Sequence, residues 1–404
     1  MGLFDIKNEI FEDKSVLRET YVPDELPGRE EEMYDYRFAL EDIKTGDEPN
    51  NILVYGETGV GKTVATRRIL GALSDAVEDQ DDVSFEHVWV NCKDKTSYQA
   101  TVDTVNELLD FEDRIKGTGH SRSDVLNMLW REIDALDATH VMIVLDEVDS
   151  LGTDDSLLYQ IPRAKANGHV DTMVGVIGIS NNFTFRENIS ARASSTLKED
   201  EIHFSTYDAP QLQEILSQRA ELAFKDGVLD EGLIEYMAAI VAQDTGSARD
   251  AIEILRLAGR LARKHQDATV TEEHVREASE QLERVIVEKE LYSLPTQYHV
   301  LLQSIALLQE RGKLPARRKT VYNVYEQVCE NIQITPKAQR TIHDKLSQLA
   351  LKGFLSITEK NKGESGGKYW EYDLEINPET VNEVLDDVDR LSNVREETTL
   401  SQFS

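Results

Sequence analysis

Eight consecutive residues, Gly56-Glu57-Thr58-Gly59-Val60-Gly61-Lys62-Thr63, have the types and spacing to hold a phosphate chain. Gly56, Gly59 and Gly61 let backbone N–H groups approach an anion closely, and a helix opening at Lys62 would add its dipole. Lys62 would face the β- and γ-phosphates, the Thr63 hydroxyl would sit on Mg²⁺, and Val60 and Val64 complete the cradle. A second signal is the apolar run Val141–Leu145 ending in Asp146-Glu147. A strand would present these carboxylates at its C-terminal end, where open α/β sheets bind ligands. Asp146 is placed to hold Mg²⁺, directly or through water, and Glu147 to activate a water for attack on the γ-phosphate. Another apolar run ends in Ser180-Asn181-Asn182. An amide there could touch the γ-phosphate, and an Asn-rich turn reads equally well. Arg249, in a helix opened by Gly246-Ser247, could reach the phosphates; by residue type alone it reads as an exposed helix arginine. The histidines show no Ser–His–Asp order and no HExxH, and His343 reads as solvated.

The elements that must position these groups follow from hydrophobic period. Residues 51–55, 87–91, 141–145, 173–179 and 201–204 read as strands, alternating with helices over 62–73, 96–109 and 123–136. That alternation predicts an α/β fold, a parallel sheet covered on both faces. Residues 1–50 read as polar, with a proline-marked stretch around Pro23 and Pro27. From Asp208 strands give way to helices. Asp208, Pro210 and Gln211 start one with Leu212, Ile215, Leu216 and Ala220 on a single face. Others are expected over about 229–241, 247–265 and 271–291, and Pro295 marks a boundary.

Charge then reverses. Residues 295–370 hold 12 Lys or Arg against 6 Asp or Glu, in a chain of net charge −32. Thr335 and Pro336 predict a helix start and Gly353 its end, with Ala338, Ile342, Leu346 and Leu349 as an apolar stripe. The segments 354–358, 359–368 and 369–376 read as strand, basic loop and strand. This is the pattern of a winged helix-turn-helix. Arg340 and Lys345 fall on the helix that would enter a major groove, and Lys360, Lys362 and Lys368 on the loop that would lie along the DNA backbone. Use of the module for protein contact is the alternative. A last amphipathic helix would carry Val381, Val384, Leu385, Val388 and Leu391, followed by an unstructured end. The boundaries expected are 1–207, 208–294 and 295–404.

Among 404 residues, 76 are Asp or Glu and 44 are Lys or Arg, with 40% hydrophobic. That apolar content can build sizeable cores, which argues against wholesale disorder. Acids spread along the whole chain fit a salt-adapted surface; a basic ligand or nucleic-acid mimicry is the alternative. The longest apolar run, Met173–Ile179, is too short to span a bilayer. The N-terminus lacks a signal-peptide pattern and Gly2 a myristoylation context. Cys92 and Cys329 stand far apart, which argues against a disulfide framework or zinc site and fits a reducing cytoplasm.

Together these residues resemble the AAA+ ATPases. More closely, they resemble the archaeal initiator family related to the origin recognition complex and the eukaryotic helicase-loading factor, as a halophile would carry it. The resemblance spans most of the chain: residues 21–32, 51–63, 144–149, 176–182, 190–197, 202–220, 246–259 and the C-terminal winged helix. It implies an AAA+ base with ATP or ADP and Mg²⁺, a helical lid, and weak ATPase activity used as a switch. It places Asn181 as sensor 1, Arg249 as sensor 2 and Arg192 as a trans-acting finger. Tyr207 and Arg219 would line the nucleotide site, and Arg29 would pack by the adenine. A DNA-touching insertion would fall at about 106–122. Implied partners are double-stranded origin DNA, the replicative minichromosome maintenance helicase and further copies on DNA, without a membrane, in the cytoplasm at the nucleoid. The same nucleotide motifs would suit a clamp-loading or remodelling ATPase, or an ATP-gated transcriptional regulator.

Overall fold

Ile52–Gly56 (β1), Phe85–Asn91 (β2), His140–Asp146 (β3), Met173–Ser180 (β4) and Asp200–Phe204 (β5) form one parallel sheet. Their order is β2-β3-β4-β1-β5, so the C-terminal ends of β1, β4 and β3 lie side by side. β3 is buried at every position, as expected of a central strand covered on both faces. Successive strand residues face opposite cores. Leu53, Val141, Ile143 and Leu145 join one cluster, while Ile52, Val54, Met142 and Val144 join the other. The computed structural model describes residues 9–185, 189–196, 200–361 and 368–388. Its contacts divide the chain into two units, Met1–Ala278 and Ser279–Ser404.

In the first unit the helices are Glu30–Thr45 (α1), Lys62–Val77 (α2), Ser97–Leu108 (α3), Arg122–Ala135 (α4), Ser156–Gln160 (α5) and Ala191–Thr196 (α6). Then come Ala209–Ala223 (α7), Leu233–Asp244 (α8), Ala248–His265 (α9) and Glu272–Ser293 (α10), the last crossing into the second unit. Thr96 with Gln99, Ser121 with Asp124 and Asp208 with Gln211 form reciprocal capping boxes, which fix these helix starts. Residues 9–50, polar in sequence, include a helix. α1 buries Tyr36, Ala39, Leu40 and Ile43 behind a charged outer face. Ahead of α1, the N-terminal segment is tied to the lid. Glu12 N–H bonds Ala223 O, Lys225 N–H bonds Ile10 O, and the Phe11 and Phe224 rings lie 4.8 Å apart.

The second unit contains Thr296–Glu310 (α11), Arg318–Asn331 (α12), Gln339–Leu351 (α13) and Pro378–Asp387 (α14). Ala316–Arg317 (β6), Leu355–Asn361 (β7) and Lys368–Leu374 (β8) pair antiparallel in the order β6-β8-β7. This is a winged helix-turn-helix. α13 starts at Gln339, capped by Ala338, and not at Thr335. Tyr322 OH donates to Lys337 O, and Lys337 N–H donates to Tyr325 OH. These bonds hold the backbone before α13 out of the helix. Ala338 is accordingly exposed, while Ile342, Leu346 and Leu349 are buried as expected. α14 ends at Asp387, so Val388 lies just beyond it and Leu391 falls outside the described residues.

Candidate nucleotide site and nucleic-acid face

The phosphate-loop residues follow β1 and lead into α2. Gly56 and Gly59 are required by crowding. A Cβ on Gly56 would lie 2.2 Å from Phe204 O, and one on Gly59 would lie 2.1 Å from Ser247 Oγ. Lys62 folds back into the loop, donating to Gly56 O at 2.9 Å and Glu57 O at 2.5 Å. It is 5% exposed, and burial pulls its pKa down to about 8 against the opposing pull of Asp146. Thr63 Oγ1 donates to Asp146 Oδ2 at 3.2 Å, so hydroxyl and carboxylate already converge. Burial raises the Asp146 carboxyl. A divalent cation between them would supply the missing charge. The donor set, one hydroxyl and one carboxylate, fits a hard ion that keeps most of its waters.

Glu147 follows with a left-handed φ of 53°, and its N–H bonds Asp146 Oδ1. This turn carries the chain into Asp149, whose Oδ1 accepts the Asn181 backbone N–H at 3.2 Å. Glu147 and Asn181 therefore stand at the ends of neighbouring strands β3 and β4.

The lid is seated on the loop. Ala248 N–H bonds Gly59 O at 3.1 Å, and Tyr207 N–H bonds Gly246 O at 3.0 Å. Tyr207 also stands over Gly61, where an added Cβ would sit 2.9 Å from its hydroxyl. Arg249 is close enough for its charge to act on Lys62, and its Nε lies 3.3 Å from Glu19 Oε1. Glu19 carried no sequence signal.

Arg29 and Arg219, expected at the nucleotide site, are both engaged with protein groups. Arg29 is 1% exposed, and its guanidinium binds Val60 O, Glu32 and Ser205 O while lying 3.7 Å from the Tyr207 ring centroid. It braces the loop from behind. Arg219, 8% exposed, donates to Val16 O and stacks on Tyr21, so it holds the N-terminal segment to the lid. Arg192 is exposed on the short α6. Val64 lies in the first turn of α2. The segment 106–122 ends α3, makes one turn at Phe111–Asp113, and reaches the cap of α4. Asn106 bonds both Ile115 N and O, and Phe111 is 84% exposed.

In the winged helix Arg340 is exposed on the first turn of α13. Lys345 lies 3.9 Å over the Tyr298 ring, which holds its ammonium against α11. Lys360 and Lys368 sit in strands β7 and β8 and not in the loop between them; Lys362 lies outside the described residues. Lys368 is partly neutralised by Glu359 at 2.6 Å. His343 is not simply solvated. It stacks on Trp370 at 5.2 Å and hydrogen-bonds Tyr372 OH. Trp370 is 41% exposed. Arg340, one turn before His343, and the Lys368–Glu359 ion pair, with Glu359 directly opposite Trp370, flank this aromatic pair.

A parallel sheet of this order, with a phosphate loop after β1, paired acids after β3 and a helical lid, defines an AAA-type P-loop ATPase. Sequence comparison agrees, matching an AAA domain over residues 45–178, a Cdc6 AAA+ ATPase-type lid domain over 213–280 and a CDC6 C-terminal winged helix domain over 289–384. ORC1-type DNA replication protein 1 of Haloarcula marismortui is 43% identical, with 100% of both chains covered. ORC1-type DNA replication protein 8 of Halobacterium salinarum is also 43% identical, over 94% of this chain and 97% of that one. The structure of the Aeropyrum pernix ORC1 protein in complex with DNA matches with a TM-score of 0.81 and 32% identity, over 95% of this chain and 99% of that one. The chain belongs to the ORC1-type DNA replication proteins, and its acidity agrees with its halophilic relatives. Among the described residues no helix is long and apolar enough to cross a membrane.

Proposed function

We propose that this chain is an ATP-dependent initiator of DNA replication that binds duplex origin DNA and helps recruit or load the replicative minichromosome maintenance helicase. A base at 1–207 binds the nucleotide, a lid at 208–294 senses it, and the winged helix at 295–404 reads DNA.

One contact carries the reading: the first turn of the lid helix α9 rests on the phosphate loop through Ala248 N–H and Gly59 O. Phosphates entering the loop must compete with Gly56 O and Glu57 O for Lys62, and they meet Arg249 at the lid boundary. The lid therefore responds to what the loop holds. Thr63 and Asp146 would hold Mg²⁺, which supplies positive charge at the β- and γ-phosphates. Glu147 would orient the attacking water and Asn181 would position it. Little chemistry is demanded of the protein beyond positioning, which suits slow hydrolysis used as a switch. Arg192, exposed on α6, is offered to a second copy on the same DNA.

The DNA part rests on the His343–Trp370 pair flanked by Arg340 and Lys368, and on the DNA complex of the Aeropyrum pernix relative. A net charge of −32 opposes phosphate attraction, so binding must rely on the locally basic segment 295–370 that carries this pair. Fluorescence anisotropy with origin and random duplexes, at several salt concentrations with ATP or ADP, tests the reading. Tighter, nucleotide-dependent binding to origin duplex supports it. Equal binding to both duplexes, insensitive to nucleotide, overturns it.

A further inference from the structure

We propose that the lid carries a metal site of the zinc class, built by His265, Asp267 and His274 with Glu277 as a fourth donor. Among the described residues these first three are the one group of three His, Cys, Asp or Glu side chains close enough to share an ion. Their ligand atoms all lie within 4.8 Å of one another. Backbone geometry brings them together. His265 is the last residue of α9, Gln266 takes a left-handed φ of 65°, and Asp267 N–H bonds back to Ala262 O at 2.9 Å. That helix ending turns Asp267 toward its own helix terminus. His274 and Glu277 lie one turn apart near the start of α10. The two imidazole rings are 5.6 Å apart, His274 Nε2 is 3.1 Å from Asp267 Oδ2, and His265 Nε2 is 4.0 Å from Glu277 Oε2.

Two imidazoles with carboxylates favour zinc, cobalt or nickel over magnesium or calcium, which prefer all-oxygen sites. Tetrahedral bonds of about 2.0 Å place ligand atoms on the order of 3.3 Å apart. His265 is 42% exposed on its side chain and can rotate through the remaining gap, whereas His274 is 6% exposed and fixed. The proton balance is simple. Without metal, His274 Nδ1 accepts Thr271 N–H at 3.1 Å, and its Nε2–H points at Asp267. Metal at Nε2 selects the other neutral tautomer, so the single ring proton moves from Nε2 to Nδ1 through solvent and none is released. The ring then carries its proton on Nδ1 and donates it to Thr271 Oγ1, 3.0 Å away, in exchange for the Thr271 N–H bond. A hydrogen-bonded outer partner of this kind orients metal-bound imidazoles. The bound ion would tie the end of the helix that carries Arg249 to the start of the helix leaving the lid.

The test uses the full chain, stripped with a chelator and titrated with Zn²⁺ or Co²⁺ alone in excess Mg²⁺, which occupies surface carboxylates. We expect one equivalent to bind, with the strong visible absorption of tetrahedral Co²⁺ and a rise in melting temperature. His265→Ala and Asp267→Asn, both at exposed positions, should each weaken binding by about 100-fold, the upper end of what even an outer partner contributes. Binding that is unsaturable, lacks the tetrahedral spectrum, or is equally tight in both variants overturns the proposal.

Discussion

Asp149 and Asn181 are joined by a hydrogen bond of 3.2 Å from the Asn181 backbone N–H to the Asp149 carboxylate. It ties the turn after β3, which carries Glu147, to the end of β4. Water activation and γ-phosphate sensing would then share one rigid support. Asp149→Ala should therefore lower single-turnover ATP hydrolysis by about 10–100-fold, the cost of a small misplacement, with ATP affinity changed less than about twofold. Glu147→Gln should bind ATP and not turn it over. Wild-type hydrolysis in either variant would remove that residue from the mechanism.

Glu19 holds Arg249 by an ion pair in which both side chains are at least half exposed. Such pairs contribute at most about 1 kcal/mol. Releasing it should let phosphates recruit Arg249 more easily, so Glu19→Gln should tighten ATP binding by up to about fivefold. Arg249→Ala should keep most of the affinity, since the loop supplies most contacts, but erase the difference between protease digestion patterns with ATP and with ADP. Patterns that still differ as in wild type would count against Arg249 as the sensor.

Lys62 sets a pH dependence. Its phosphate-binding form is the ammonium, and burial has lowered its pKa to about 8. Phosphates favour the ammonium, so above that pH binding must take up a proton. ATP affinity, measured without divalent ions, should be flat just below pH 8 and fall by up to about tenfold per unit above it. Lys62→Arg should flatten the fall, and Lys62→Ala should abolish binding. Folding has the opposite slope. Between about 8 and the ordinary 10.5 the unfolded chain binds more protons at this residue, so the nucleotide-free protein gains stability as pH rises through that window. Thermal melts from pH 7.5 to 10.5, comparing wild type with Lys62→Arg, check that sign.

Much of this was legible because the signals are local. Apolar runs such as Val141–Leu145 make buried strands, and the capping box of Asp208 and Gln211 starts α7. α1 was hidden because Glu30, Glu31 and Glu32 precede its apolar stripe, directly after a proline-marked polar stretch. Thr335-Pro336 carried a genuine helix-start signal, overridden by two tyrosines from α12. The protein contacts that Arg29 and Arg219 make were not legible in the sequence. Their partners Ser205 and Val16 are 176 and 203 residues away in sequence, beyond any local pattern. The lid histidines lie nine residues apart at no helical or strand spacing, and the left-handed turn at Gln266 that brings them together is set by backbone conformation and not by residue type.

DNA binding should separate into two effects. Lys360→Glu acts on phosphate attraction, so it should weaken binding to all sequences alike and reduce the salt dependence. Arg340→Ala should instead narrow the gap between origin and random duplex by about 1–3 kcal/mol, the worth of a good base contact. Anisotropy titrations at three salt concentrations distinguish them. Identical behaviour of the two variants would contradict a reading helix beside a backbone-binding wing.

The initiator role is tested most directly by mapping the chromosomal sites this protein occupies in living cells against the positions where replication starts. Occupied sites should coincide with replication start points, and a Lys62→Ala variant should occupy them less. Sites clustered at promoters, with none at replication starts, would contradict the account and identify an ATP-gated transcriptional regulator instead.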